Sequence, residues 1–472
     1  MKTLRNAVIA IFAGLILMIS CKKSDIALPK SEANIDSIAS KYYEGYLKMY
    51  PLEATMQGDS RYNDVLTNNI SSEFISKEIA YYNETQKKLQ TLDYDALSDE
   101  QKTVYDVLDY TLKDKIERYA YHPELMPFSQ FEGLPLDFPL LGSAEGNQPF
   151  KTTKDYDNWL KRIDAFVIWM NTAEKNFREG MKQNVVLPKK LVVKMIPQMH
   201  SEEIITEDFD KNIFYGPIKK MPKNFSAKDK EKYKILYQEA ISSKIIPAYQ
   251  KMGDFLEKEY LPKARNTDGI NALPNGKNIY EYYAKSWTTT NKTPEEINKI
   301  GLQQVAMLRA EMEKVKTQLG FKGSLEEFLL SLKTDKKAMP FKTPKEVIAA
   351  FNGILKKIEP KLPSMFSKFP KTPFEIRRTE KFREASASAE YKQGTPDGKR
   401  PGIFYTPIPD ATKYNVTNGF ESLFLHEAIP GHHYQVSLQQ ENTEIPKFMR
   451  FGWFGAYGEG WAHYTETLGP EF

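Results

Sequence analysis

Phe424-Leu425-His426-Glu427-Ala428-Ile429-Pro430-Gly431-His432-His433 is the stretch on which the reading of this chain turns. It opens as a metal-binding His-Glu-x-x-His helix opens. In that pattern the second His follows the first by four residues, so both imidazoles point to one side. Pro430 stands there instead, and the next histidines come six and seven residues on. On a straight helix of ~3.6 residues per turn, a seven-residue step returns within ~20° of its start and a six-residue step lies ~120° away. A straight helix would therefore pair His426 with His433. Pro430 opposes a straight helix, because it lacks the N–H that would bond back to His426 and its ring clashes with that turn. Gly431 beside it permits unusual torsions, and a kink would bring His432 round. Spacing alone leaves both histidines open.

The neighbourhood supports a metal. The chain has 6 histidines, and His426, His432, His433 and His463 fall within its last fifty residues. Neutral imidazoles with a carboxylate make a zinc-binding set, although manganese or cobalt would also accept them. Glu427 then has a role ready. Zinc brings the pKa of water to ~7, and an adjacent carboxylate can take that proton and pass it to a leaving amine. A second helix is expected at Glu459-Gly460-Trp461-Ala462-His463-Tyr464-Thr465-Glu466. Glu459, His463 and Glu466 share one face at steps of four and three. Glu459 is the candidate third ligand; His463 and Glu466 are candidates to orient the ligands from behind. A purely structural zinc is disfavoured, since such sites prefer Cys and the single Cys lies far away at position 21.

Further out, most of the chain reads as helix. Ile35, Ile38, Tyr42, Tyr46 and Met49 recur at helical steps, as do Trp159, Ile163, Phe166 and Met170. Thr293-Pro294-Glu295-Glu296 is a helix start with a capping box. Val305, Leu308, Met312, Val315 and Leu319 then line one face, and Gly320 suits the end. All three stripes are expected to be core. Residues 375–405 depart from helix: Ala385 to Tyr391 alternate short residues, and Gly394 to Gly398 and Pro401-Gly402 are turn formers, so short strands and loops are expected before the metal helix.

At the other end, Lys2 and Arg5 precede an apolar run, Ala7 to Ile19, too short for a membrane span. Met18-Ile19-Ser20-Cys21 resembles the lipobox of bacterial lipoproteins, with Met18 for the more usual Leu. This predicts a signal peptide over 1–20, a lipidated Cys21 with a tether to residue 30, and a place in the bacterial cell envelope, facing the periplasm or the cell surface. Two regions follow, a helical one over 31–290 and a metallopeptidase-like one over 291–472. With 472 residues and 41% hydrophobic content the chain is globular. Lys and Arg number 66 against 62 Asp and Glu, which leaves no basic footprint for nucleic acid.

These motifs together resemble the DUF885 family, grouped with the gluzincin-like metallopeptidases. The resemblance is carried by Pro51-Leu52-Glu53-Ala54-Thr55 with Gly58-Asp59, by Thr293 to Ile297, by Arg400-Pro401-Gly402-Ile403-Phe404-Tyr405, and most specifically by the His426 to His433 and Glu459 to Glu466 segments. It implies a mainly α, zincin-like fold with a deep cleft. It also implies zinc held by His426, His432 and Glu459, with Glu427 as base and His433 as the alternate ligand. Hydrolysis of short peptides is the implied activity, with a strand near the site pairing with the substrate backbone; Ala385 to Tyr391 is the candidate. The sequence departs from the family pattern at His463, where an apolar residue is usual. It also ends at Phe472, where members of the family continue, so a C-terminally incomplete chain with weakened zinc binding or activity is expected. Two other functions compete. A non-enzymatic binding lipoprotein could use the 27 Tyr and 27 Phe for stacking, but gives no reason for Glu427 beside the histidines. A zinc hydrolase of non-peptide amides would use the same residues.

Overall fold

Asn34 opens the first helix by accepting the Ser37 N–H on its side chain at 2.7 Å, the usual device for satisfying a free helical N-terminus. The computed structural model describes residues 34–472; the expected signal peptide, Cys21 and the expected tether lie outside the described residues. Among the chain's helices are α1 (Ile35–Met49), α2 (Ser72–Leu89), α3 (Asp99–Arg118), α4 (Thr153–Lys182), α5 (Ala227–Ala240), α6 (Ile246–Phe255), α7 (Gly276–Thr288), α8 (Pro294–Gln318), α9 (Pro344–Ile358), α10 (Phe420–Glu427), α11 (His432–Glu441) and α12 (Gly455–Glu466). Among the described residues helix accounts for 64% and strand for 3%, so the fold is mainly α. Among the described residues no helix is long and apolar enough to cross a membrane.

Three apolar clusters hold these helices. In the first, α4 buries Trp159, Ile163, Phe166 and Met170 against Tyr233, Tyr237 and Tyr249 of α5 and α6. Each such side chain contributes roughly 1.5–3 kcal/mol on burial. The second joins α1, α2 and α3, with Phe448 from the C-terminal region inserted among them. The third lies under the site: Val347, Phe351 and Ile354 of α9 pack on Phe404 and on Phe420, Phe424 and Leu425 of the strand and helix that follow.

The Pro51 to Asp59 segment has a structural task. Arg162, fully buried on α4, donates to the Val65 carbonyl at 3.0 Å, to Thr55 Oγ1 at 2.7 Å, to the Tyr62 carbonyl at 3.0 Å and to Gln148. A buried cation is tolerated when its donors are used in this way. Arg400 ties the same segment to the sheet region through the Met56 carbonyl.

That region is a small sheet in the order β1-β3-β2, with β1 (Phe374–Arg378) parallel to β3 (Gly402–Thr406) and β2 (Glu390–Lys392) antiparallel to it. The short strands expected before the metal helix are present. The alternation read over Ala385 to Tyr391 is mostly not strand: Lys381–Glu384 is a helical turn and pairing begins only at Glu390.

One expectation fails. The capping box of α8 is formed, with Thr293 and Glu296 each accepting the other's backbone N–H. Its apolar stripe is not core. Val305, Leu308, Met312, Val315 and Leu319 are 42–67% exposed, and α8 has no buried residue. Periodicity identifies an apolar face, but whether another element lies on that face is decided by tertiary packing.

Candidate metal centre

The site is made by a helix that stops and restarts. α10 ends at Glu427, and α11 begins at His432. Between them the chain turns through the cis Ile429–Pro430 bond. Gly431 returns so tightly that an added Cβ would stand 1.8 Å from the His426 carbonyl oxygen and 2.3 Å from that of Leu425. Space, rather than torsion, restricts this position to glycine. The reversal carries His432 back over the end of α10, so the two rings meet almost perpendicularly at 4.6 Å between centroids.

α12 closes the third side. Thr465 donates to the Leu425 carbonyl at 2.8 Å, and the Trp461 indole N–H donates to the Pro430 carbonyl at 2.8 Å. One bond fixes α12 to α10 and the other fixes it to the turn. Glu459 is thereby aimed at both imidazoles: its Oε2 lies 3.5 Å from His426 Nε2 and 3.6 Å from His432 Nε2. One donor atom from each of the three residues falls within 4.8 Å of the others. Tetrahedral zinc with bonds of ~2.0–2.2 Å holds its ligand atoms about 3.3–3.5 Å apart. The two separations from Glu459 are of that size, and the donor types are ones zinc accepts.

The surroundings match that chemistry. Glu466 Oε1 accepts from His426 Nδ1 at 2.8 Å, which leaves the Nε2 lone pair facing Glu459. Burial, then His426, lowers the His432 pKa to about 4, so this ring is neutral, the form that binds metal. Its Nδ1 has no hydrogen-bond partner among the described residues, and Trp453 lies against its ring at 5.5 Å.

Glu427 is 6% exposed and its Oε2 is also unpartnered. Burial pushes its carboxyl up to about 8, with Glu459 and Glu390 adding to the rise and the Tyr391 backbone N–H opposing it. A buried carboxyl with a free oxygen beside a cluster of donors is poised to exchange a proton.

The other candidates part ways. His433 does not join the cluster. It is 1% exposed and faces the sheet, with Nδ1 3.1 Å from the Tyr391 hydroxyl and its ring 4.9 Å from Phe374. Successive helical residues are ~100° apart, so His432 and His433 face different partners. His463 is 80% exposed and reaches Glu466 only at 3.7 Å. A second group, His200, Asp254 and Glu257, also converges, but both its carboxylates are exposed and Lys258 occupies Asp254 at 2.9 Å.

Sequence reasoning gave no role to Trp461 or Thr465, and placed Tyr391 only at the end of a candidate strand. Trp461 and Thr465 stood inside a quoted motif, and a Trp two residues from a candidate ligand was the available signal. Tyr391 acts through the sheet, which spacing does not reveal.

The family described as "Bacterial protein of unknown function (DUF885)" matches residues 51–472. Among solved structures the chain is similar to one described as a candidate lipoprotein from Colwellia psychrerythraea, at TM-score 0.80 and 21% identity, over 93% of this chain and 77% of that one. It is also similar to one described as a candidate lipoprotein of unknown function from Shewanella oneidensis, at TM-score 0.61 and 16% identity, over 93% and 78%. At these identities the likeness is one of fold. No curated protein matches the chain.

Proposed function

The chain belongs to the DUF885 family, and from its site we propose that it is a zinc-dependent hydrolase of peptide bonds in short peptides, held at the bacterial cell envelope by a lipid on Cys21. The observation that carries this reading is the convergence of His426 Nε2, His432 Nε2 and Glu459 on one point beside the buried Glu427 carboxyl. Those three residues would hold the zinc. When bound, zinc supplies Lewis-acid polarisation and makes water acidic near neutral pH.

The protein's own groups do the rest. Glu466 fixes the His426 ring through Nδ1. Glu427 takes a proton from the attacking water and gives it to the leaving amine, two tasks that require a pKa near the working pH. Its raised value leaves room for a nearby cation to draw it down toward neutrality. β2 is an edge strand of the small sheet, with its Tyr391 N–H acting on the Glu427 carboxyl, and a sheet edge can pair with an extended peptide. That favours a peptide over other amides. A cavity of about 240 Å³ adjoins β2, lined in part by Asp137, Arg383, Ser386, Glu390 and Lys392.

The test is a library of free short peptides incubated with the zinc-loaded protein. The reading expects cleavage that a chelator abolishes and zinc restores. A zinc-loaded, folded protein that leaves every peptide intact would overturn it. The anchor is tested separately by palmitate labelling in cells, which Cys21→Ala should abolish.

A further inference from the structure

His433, which is buried, and Tyr391, which is half-buried, are two polar side chains beside the site with no part in the chemistry above. Tyr391 lies on β2 opposite Phe404 of β3. Side chains alternate along a strand; Glu390 and Lys392 line the adjoining cavity, whereas Tyr391 reaches the other way, to His433 Nδ1 at 3.1 Å. Ser437, one turn along α11, stands 3.4 Å from the same nitrogen. Gly402 of β3 provides the room: a Cβ there would lie 2.3 Å from the Tyr391 hydroxyl and 2.7 Å from His433 Nδ1. Phe374 of β1 packs on the ring. One imidazole thus touches all three strands, and it sits next in sequence to His432.

We infer that the Tyr391–His433 contact is a positioning link that sets the register of the substrate-pairing edge against the metal-side helix. The inference rests on the peptidase reading. β2 is only three residues long and pairs on one side, so hydrogen bonding to β3 alone holds it weakly. The contact to α11 is its second hold. Because α11 starts with His432, the strand and the candidate ligand move as one body. A peptide paired with the edge at 390–392 is then presented at a fixed distance from Glu427, whose pKa the Tyr391 N–H acts to lower.

The test uses Tyr391→Phe, which removes one hydroxyl and keeps the ring, and Gly402→Ala, which wedges the pair apart and removes neither group. Zinc content, amide exchange and steady-state kinetics are read on the same zinc-loaded protein. A buried hydrogen bond is worth about 1–1.5 kcal/mol, so both variants should keep zinc while amides 390–392 exchange roughly tenfold faster. Amides in α4 should be unchanged. The KM for peptides long enough to pair with the strand should rise roughly tenfold, with kcat within about twofold. Unchanged exchange at 390–392 would overturn the link, as would faster exchange spread evenly over the molecule. A wild type that cleaves no peptide would defeat the peptidase reading alone, and the exchange measurement would still decide the link.

Discussion

Gly431→Ala is the sharpest perturbation of this site. The added methyl would stand 1.8 Å from the His426 carbonyl oxygen, 2.3 Å from that of Leu425 and 2.4 Å from the His426 carbonyl carbon. Ordinary contact begins at 3.4 Å, so the turn must open by about 1.5 Å. The obstacles are backbone atoms, which cannot rotate aside. Metal–ligand distances tolerate only about ±0.2 Å, so opening the turn takes His432 away from His426 and Glu459. Zinc affinity should fall by about 100-fold or more, near 2.7 kcal/mol at ~1.4 kcal/mol per tenfold. If the turn resists, the clash itself costs about 1–3 kcal/mol and the metal-free melting temperature drops. Competition with a chromogenic chelator measures the first effect and calorimetry the second. Gly460→Ala is the control, since its Cβ would meet nothing within 4 Å although it adjoins Glu459. A Gly431→Ala protein with wild-type zinc affinity and melting temperature would refute the reasoning.

Three other outcomes are expected. Glu427→Gln should retain zinc but lose about 10²–10⁴-fold in kcat, as read by peptide hydrolysis at equal metal loading. Glu466→Gln, which weakens the support of His426 Nδ1, should reduce zinc affinity about 10- to 100-fold with little change in metal-free stability. Arg162→Met should leave the acceptors at Thr55, Tyr62, Val65 and Gln148 without their donor and cost about 3 kcal/mol. Denaturant unfolding of the metal-free protein reads that loss, and zinc affinity of the folded protein should be unaffected.

What the sequence made legible was local. Pro430 and Gly431 foretold that the helix could not run straight, and the structure breaks it there, between Glu427 and His432. The three-residue step from His463 to Glu466 is real, but His463 points to solvent. Thr293 and Glu296 declared their capping box because both partners lie within one turn. The misses are all long-range. The α8 stripe has the period of a core face and is exposed; nothing in a helix's own sequence states whether a neighbour lies on it. The alternation at Ala385 to Ala389 had no partner strand, because β3 pairs only with 390–392. The separation of His432 from His433 depended on where the sheet lay, more than 25 residues upstream.

The central claim is that His426, His432 and Glu459 hold a metal. Mass spectrometry of the purified, folded protein measures it directly. The account predicts about one zinc per chain in the wild type and in Glu427→Gln, and none in His426→Ala. A folded wild type that takes up no zinc, or a His426→Ala protein that retains it, would contradict the account.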